Sequence, residues 1–410
     1  MKILWLCGNP GLFRATSLAD GGWIGALQTE FIHKYNVQLI NVFEYYQKAD
    51  IQTDGNITYY PIYIEKKDKL LDKFYHKVVD KIFISKVLEI IHKEKPNIIQ
   101  CWGSELGYGL ISYYTNIPVI LHIQGLLNPY LDAYFPPNYN LFNIWRATNY
   151  NVLKFLKQYY RPYLVFKQNA KREKKILQKI NYVLGRTEWD YACSKLLAPE
   201  SIYFYCSESL SCAIRNSAKW MWKESHRLII CSIMSNAIYK GVDVILRTAQ
   251  LIKANYGIDY EWNIYGIEDI SLHEKLTNIN GASVNVCAKG RINASKVAEV
   301  LRVSDIYCHL AYIENSPNSV CEAQYIGIPI VAAMVGGVDT ILKNNSGILV
   351  PANDIYRTAQ SIISLKLNKT YSEKLSKAEQ NEAYRRHNGV EQQIKEIYDR
   401  ILSNNSSLQK

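Results

Sequence analysis

The chain of 410 residues lacks several features that would place it in other classes of protein. It has no run of eighteen apolar residues, which argues against a membrane-spanning helix. Its apolar start, Met1 to Cys7, is too short for a secretory signal and is interpreted as a first strand. Charged residues make up only 21% and prolines number 12, a composition that argues against disorder.

Metal and redox motifs built on cysteine are missing as well. The nine cysteines are an odd number, and no two of them have the C-x-x-C spacing. We therefore expect reduced, mostly buried thiols, which are typical of a cytoplasmic protein.

What the chain does have is length, apolar residues and positive charge. Its 410 residues, 48% of them hydrophobic, suffice for two domains with a core each. The net charge of +11 is compatible with nucleic acid, an anionic membrane surface or phosphate-bearing ligands as partners. No nucleic-acid-binding motif accompanies the charge, so it does not by itself choose among these partners.

Short apolar runs alternate with amphipathic stretches along the chain, which predicts an α/β protein with doubly wound parallel sheets. We predict an N-terminal Rossmann-like domain at residues 1–205, a connection at 206–225, a C-terminal Rossmann-like domain at 226–385 and a final helical segment at 386–410. The predicted strands are 2–7, 37–42, 97–101, 118–122, 181–184 and 201–205, then 227–233, 260–265, 283–287, 304–310, 329–333 and 347–350.

The most informative segment follows a predicted strand of the second half and runs from Glu314 to Glu322. Ser316 is a suitable N-cap, and Pro317 a suitable first residue, for a helix whose free amides would form an anion site. Glu314 precedes that helix and Glu322 lies nearly two turns inside it. The two carboxylates can border one pocket and hold a ribose or sugar diol. The alternative is that they are unrelated surface glutamates.

Residues 305–340 resemble the signature region of the retaining GT-B glycosyltransferases of family four, also called glycosyltransferase group 1. The family pattern is a glutamate, seven residues and a second glutamate, followed by a strand and a Gly-Gly turn, here Gly336-Gly337. The resemblance implies two Rossmann-like domains that face a central cleft in which the donor binds. It also implies that the C-terminal helix crosses back to the first domain.

The same resemblance assigns roles within this segment. Glu314 would face the transferred sugar, and Glu322 would hold the ribose of the nucleotide. Backbone amides near Asn318 and Ser319 would meet the diphosphate.

A second similarity lies at Lys240-Gly241, which opens the first helix of the second domain. It resembles the family's Lys-Gly pair and implies that Lys240 neutralises donor phosphate; the alternative is an exposed lysine at a helix start. Ser235 stands where the family usually has an arginine. One cation is therefore missing or is supplied elsewhere, with Arg186 and Arg291 as candidates.

Two glycine loops carry weaker resemblances. Arg291 and Ile292 lie on a loop that would border the base, or else in an ordinary glycine turn. Gly21 and Gly22 follow the first strand, where glycine lets a phosphate approach the backbone closely, and would lie against the donor phosphate and sugar.

Two positions in the first half are candidates for the sugar or acceptor side. Gln124 stands where many relatives have a histidine, which leaves that role open. His122 points to the opposite strand face by alternation and does not simply replace it. Arg186 lies in a segment that resembles a subgroup of bacterial polysaccharide glycosyltransferases; the alternative is a helix capped by Thr187.

The resemblance as a whole implies a retaining hexosyltransferase of cell-surface polysaccharide synthesis. Its donor would be a nucleotide sugar, with UDP-sugars favoured over GDP-sugars, and its acceptor a glycan or lipid-linked glycan. The chain contains no D-x-D motif, so we expect a metal-independent enzyme with no cofactor, in which Lys240 offsets the charge of the leaving diphosphate. We also expect the enzyme to be cytoplasmic.

Other interpretations stay open. A sugar-nucleotide epimerase shares the two-domain architecture but requires acid-base groups around the sugar and no acceptor. A non-catalytic nucleotide-sugar-binding or scaffold protein would be consistent with the departures at Ser235 and Gln124. The basic, aromatic stretch Val152–Ile180 either lies on an anionic membrane surface or is a domain helix with a solvated basic face.

Overall fold

The computed structural model describes residues 1–15, 22–75 and 77–408. Its contacts divide the chain into two compact units. The first unit comprises Met1–Asn128, Phe166–Cys212 and His387–Lys410, and the second comprises Pro129–Val165 and Ala213–Arg386. The predicted first domain included residues 129–165, which the contacts place in the second unit.

The first unit is built on one sheet of eight strands. They are β1 (Lys2–Leu6), β2 (Gln38–Tyr45), β3 (Gln52–Asp54), β4 (Ile57–Tyr63), β5 (Ile98–Trp102), β6 (Val119–His122), β7 (Tyr182–Gly185) and β8 (Ile202–Tyr205). Their order is β3-β4-β2-β1-β5-β6-β7-β8, and only β3 and β4 are antiparallel. Six of these strands coincide with predicted ones within a few residues, which confirms the parallel sheet.

The second unit contains a parallel sheet of six strands. They are β9 (Leu228–Ile233), β10 (Tyr260–Tyr265), β11 (Val286–Ala288), β12 (Ile306–His309), β13 (Ile330–Ala333) and β14 (Ile348–Val350). Their order is β11-β10-β9-β12-β13-β14. The chain moves from β9 outward to β11 and then returns to the other side of β9. This reversal creates a switch point between β9 and β12.

Helices cover both halves of the chain. In the first half they are α1 (Gly22–Lys34), α2 (Lys66–Tyr75), α3 (Val78–Glu94), α4 (Leu127–Asp132), α5 (Leu141–Ala147), α6 (Val152–Phe155), α7 (Arg161–Lys179), α8 (Glu188–Leu197) and α9 (Cys212–Arg215). The second half adds α10 (Val242–Asn255), α11 (Ser271–Thr277), α12 (Ala294–Val303), α13 (Asn318–Ile326), α14 (Val338–Ile341), α15 (Ile355–Leu367), α16 (Lys369–His387) and α17 (Val390–Leu408). None of the helices in the described ranges is long and apolar enough to cross a bilayer.

A buried chain of hydrogen bonds joins α17 to the first sheet. Trp5 Nε1 donates to the Tyr398 hydroxyl at 2.9 Å, and that hydroxyl donates to Gln100 Oε1. Gln100 Nε2 lies 3.1 Å from His122 Nδ1, and burial lowers the pKa of His122, so the ring is neutral and accepts this bond. The last helix thus belongs to the first unit, and His122 is a core residue.

The cysteines are reduced, as the sequence predicts. None of the nine forms a disulfide, and six of them are buried. The partly or fully exposed ones are Cys193, Cys212 and Cys287.

Candidate active site

The carboxyl ends of β9 and β12 meet at the switch point of the second sheet. Parallel strands with helices on both faces leave a crevice there, because the connections leave in opposite directions. Lys240 follows β9 and Glu314 follows β12. The topology therefore brings together the two residues to which the sequence assigns catalytic roles.

Gly241 lets the loop after β9 approach the end of β12. Its φ of +81° lies in the left-handed region, and a Cβ atom there would lie 1.9 Å from the carbonyl oxygen of Leu310. The loop is also joined to that strand end by the Tyr312 amide, which donates to the Tyr239 carbonyl at 2.8 Å. This close approach fixes the position of Lys240 beside the β12 loop.

A glycine turn supports the backbone of Glu314. The amide of Gly337 donates to the Glu314 carbonyl at 2.9 Å. Gly336 has φ +53°, and a Cβ atom there would lie 1.8 Å from the same carbonyl oxygen. The Gly-Gly turn after β13 therefore packs directly on the loop that carries Glu314.

Glu314 and Lys240 form a buried ion pair through Oε1 and Nζ. Their side chains are only 7% and 14% exposed. Burial lowers the pKa of Lys240 to about 8, because the charged ammonium has lost water. The lysine still carries its charge at neutral pH. The site thus offers a cation with little solvent around it, which is suited to an anionic ligand.

Tyr130, which the sequence analysis did not identify, binds the same carboxylate. Its hydroxyl donates to Glu314 Oε2 at 3.3 Å and accepts the backbone N–H of Asn315 at 2.7 Å. Its ring packs edge-on against Tyr239, with centroids 5.6 Å apart. Tyr130 belongs to the segment 129–165 that is part of the second unit. No local sequence signal links it to Glu314, which is 184 residues away.

His309, at the end of β12, is the second residue that the sequence analysis missed. Its Nε2 lies 3.9 Å from Glu314 Oε1, and its Nδ1 lies 3.4 Å from the Tyr307 hydroxyl. Burial and then the charge of Lys240 lower the pKa of His309 to about 3. The imidazole is therefore neutral and contributes no charge to the site.

The helix after Glu314 begins one residue later than predicted. Pro317 has φ −68° and ψ 119°, so it is the N-cap rather than the first helical residue, and α13 begins at Asn318. The assignment of Ser316 as the cap is thus corrected, since no side chain caps this helix. The amides of Asn318 and Ser319 still lie at the helix start. One turn on, Glu322 lies close enough to Tyr307 that its charge adds to burial, the larger cause, in raising the pKa of that tyrosine.

Other predicted donor residues lie on loops at the same edge of the second sheet. Ser235 is exposed just after β9. Arg291 is exposed and Ile292 is partly buried just after β11. Their loop is tied to the end of β10 because the amide of Gly266 donates to the Gly290 carbonyl at 2.8 Å.

The predicted residues of the first half lie in the first unit. Gly22 is the first residue of α1 and has φ +58°, whereas Gly21 lies outside the described residues. Arg186 is 1% exposed; it forms an ion pair with Glu208 and donates to Gln124 Oε1. Its guanidinium is thus engaged in the core of the unit and does not face solvent.

The segment after Arg186 is a capped helix, as one alternative held. Thr187 is the N-cap of α8 and forms a capping box with Asp190.

Nearby, burial raises the pKa of the Glu105 carboxyl to about 7, and the charge of Glu173 adds to this effect. Glu105 follows β5, and the sequence offered no signal for it.

The family comparison matches the unit that contains the ion pair. Residues 216–382 match the family described as "Glycosyl transferases group 1". These residues, which are fewer than half of the chain, are thus similar to a group 1 glycosyltransferase domain. The matched segment includes Lys240, Glu314 and Glu322, but not Tyr130. No curated protein sequence is significantly similar to the chain.

Solved structures share the fold over nearly the whole chain. The sucrose-phosphate synthase of Thermosynechococcus elongatus has a TM-score of 0.71 at 13% identity, with 98% of this chain and 99% of that one covered. Anabaena Alr3699/HepE in complex with UDP-glucose has a TM-score of 0.62 at 14% identity, covering 97% and 99%. A Rickettsia africae glycosyltransferase has a TM-score of 0.58 at 18% identity, covering 98% and 99%. The chain thus has the GT-B fold that the sequence predicted.

Proposed function

We propose that this protein is a retaining glycosyltransferase that transfers a sugar from a nucleotide-sugar donor to a glycan or lipid-linked acceptor in cell-surface polysaccharide synthesis. The observation that carries the proposal is the buried Lys240–Glu314 pair at the switch point of the second sheet, within the matched segment. A low-polarity site strengthens electrostatic interactions with a departing diphosphate. The complex of the HepE structure with UDP-glucose supports a UDP-sugar as the favoured donor.

In the proposed reaction, the bond between the anomeric carbon and the β-phosphate oxygen breaks. The acceptor oxygen bonds to the same face of that carbon, and its proton passes to the departing phosphate. Lys240 leaves Glu314 to offset the charge of the leaving group, and Glu314 faces the transferred sugar. The amides at the start of α13 and the Glu322 carboxylate hold the diphosphate and ribose. We infer that no metal is required, so a chelator should leave transfer unchanged.

Donor binding can be tested by thermal unfolding with UDP-glucose, UDP-N-acetylglucosamine, GDP-mannose and UDP. A ligand at one hundred times its dissociation constant adds about 2.7 kcal/mol of stability. We expect a rise in Tm with one donor class, lost in Glu322→Ala and kept in Glu299→Ala, an exposed glutamate of α12. A shift for no donor would contradict the proposal and favour the scaffold interpretation. Conversion of the bound sugar without an acceptor would favour the epimerase.

We also propose that the enzyme lies peripherally on an anionic membrane. Residues 133–172 contain no acidic residue but seven lysines and arginines. The part of this stretch that lies in the second unit, residues 133–165, exposes apolar side chains, with Leu153 82% and Val152 53% exposed. Basic segments of this kind bind acidic lipid, and exposed apolar groups insert at the headgroup boundary.

We expect the protein to float with acidic vesicles but not with neutral ones, and Leu153→Glu should abolish this flotation. Failure to float with acidic vesicles would refute the membrane location alone.

A further inference from the structure

A cavity of about 720 Å³ lies in the first unit, in a region that carries none of the predicted site residues. It is formed by the first half of α3, the 3-10 helix Gly107–Tyr113 and the middle of α7. Its volume is in the range of sites that enclose a small ligand.

One part of the cavity wall is apolar. Ile84 and Leu88 of α3 face it together with Leu110, and Tyr114 stands at its edge with 63% of its surface exposed. Apolar walls of this kind gain stability when they cover an apolar ligand group, at about 25 cal/mol per Å². The wall therefore favours a ligand with a hydrocarbon part.

The rest of the lining is strongly basic. One carboxylate, Asp80, is paired with Arg172 at 3.0 Å. Four lysines have no ion pair with any residue that the structure describes: Lys77, Lys81, Lys171 and Lys175. The lining of the cavity thus carries five positively charged side chains and one negatively charged side chain, which complement an anionic headgroup.

Two buried polar atoms of the lining residues lack hydrogen-bond partners among the described residues. They are Oε1 of Gln168 and Nε of Arg172. Buried polar atoms normally have partners. Once these side chains turn toward the cavity, the guanidinium can donate to a phosphate oxygen and the amide oxygen can accept from a hydroxyl.

We propose that this cavity binds one anionic glycerophospholipid whose headgroup carries hydroxyls, of the phosphatidylglycerol class. The acyl chains would lie on the apolar wall, the phosphate among the lysines, and a headgroup hydroxyl at Gln168. A prenyl phosphate offers no hydroxyl of this kind, so the structure favours the glycerophospholipid. This inference does not depend on the glycosyltransferase proposal.

The test is calorimetric titration of the full chain with dihexanoyl-phosphatidylglycerol below its micelle concentration, without any sugar nucleotide. Binding should be at least about tenfold weaker for dihexanoyl-phosphatidylcholine, and glycerol 1-phosphate should not bind. Equal binding of the zwitterionic lipid would overturn the charge argument. Equal binding of glycerol 1-phosphate would show a plain phosphate site. Tighter binding of farnesyl phosphate would show a prenyl phosphate site instead. Each of these results refutes the proposal, as does no binding at all.

Variants of the lining residues test whether the lipid binds in this cavity. Lys171→Glu with Lys175→Glu should weaken binding at least about tenfold, whereas Lys174→Glu, on the same helix but outside the lining, should not. Leu110→Trp should fill the cavity and abolish binding, with folding checked by its Tm. Should Leu110→Trp fail to fold, the charge variants alone decide the matter. Unchanged binding in the double lysine variant would overturn the proposal.

Discussion

The Tyr130 hydroxyl donates a hydrogen bond to Glu314 Oε2 across 184 positions of sequence. The same hydroxyl accepts the amide of the next residue, Asn315. One oxygen thus orients both the side chain of Glu314 and its peptide. With Lys240 on the other carboxylate oxygen, the carboxylate has a partner on each side. Its orientation is fixed before any ligand enters.

Tyr130→Phe should lower turnover about tenfold, because one buried hydrogen bond contributes about 1–1.5 kcal/mol and 1.4 kcal/mol corresponds to a factor of ten. Donor affinity should change less than about twofold, since the sites proposed for the base and diphosphate involve other residues. Steady-state kinetics and thermal shifts measure the two quantities. Tyr163→Phe, in the same aromatic cluster, is the matched control and should behave like the wild type. Equal losses in both variants would contradict a positioning role for Tyr130.

Glu314→Gln should lower kcat by about 100-fold or more, because a group that stabilises charge in the transition state is worth several kcal/mol. The amide keeps the shape of the carboxylate but not its charge, so the affinity for free UDP should stay nearly the same. Kinetics with the preferred donor measure the first effect and calorimetry the second. Glu299→Gln on α12 is the control. Unchanged turnover in Glu314→Gln would remove this residue from the mechanism.

Lys240 should produce an alkaline limb in the pH profile. Burial lowers its pKa to about 8, so the ammonium is present below that pH and lost above it. The value of kcat/KM, which reports the free enzyme, should therefore fall above pH about 8. In Lys240→Arg the guanidinium stays charged, and the limb should vanish even where activity is lower overall. An identical limb in the arginine variant would assign the titration to another group.

Gly241→Ala should destabilise the protein by about 1–3 kcal/mol, because the residue has φ +81° and the new Cβ would collide with the Leu310 carbonyl. Gly257→Ala is the matched control, since nothing lies within 4 Å of its Cβ position. Denaturant unfolding compares the two. Equal stability of both variants would show that the loop after β9 can move away from β12 at little cost.

Much of the fold follows from local pattern. The twelve predicted strands are short apolar runs, and the structure has a strand at each of them. The strand β4 was missed because its sequence, ITYYPIY, mixes tyrosines with Pro61. The partner β3 pairs only with residues 57–59, so Pro61 lies beyond that ladder, where a missing N–H costs no bond to β3.

The candidate site was predictable only in part. Glu314 and Lys240 lie in loops at strand ends, where chain topology places ligands, and a family pattern marks them. Tyr130 and His309 have no such pattern. Tyr130 reaches Glu314 from the segment 129–165, which was predicted to belong to the first domain but lies in the second unit. His309 is the last residue of the strand β12. The contact of Tyr130 depends on packing between distant parts of the chain, which residue spacing does not encode.

The bond from Trp5 to Tyr398 has a consequence for biosynthesis. The two residues are 393 positions apart, so a ribosome makes Tyr398 about 20–80 s after Trp5. Every residue of the second unit emerges before α17 does. The second unit can therefore finish folding first, while the nascent first sheet keeps Trp5 and Gln100 without their helical partner. The first unit, although its strands are synthesised first, therefore receives its last helix only after the whole second unit has been made.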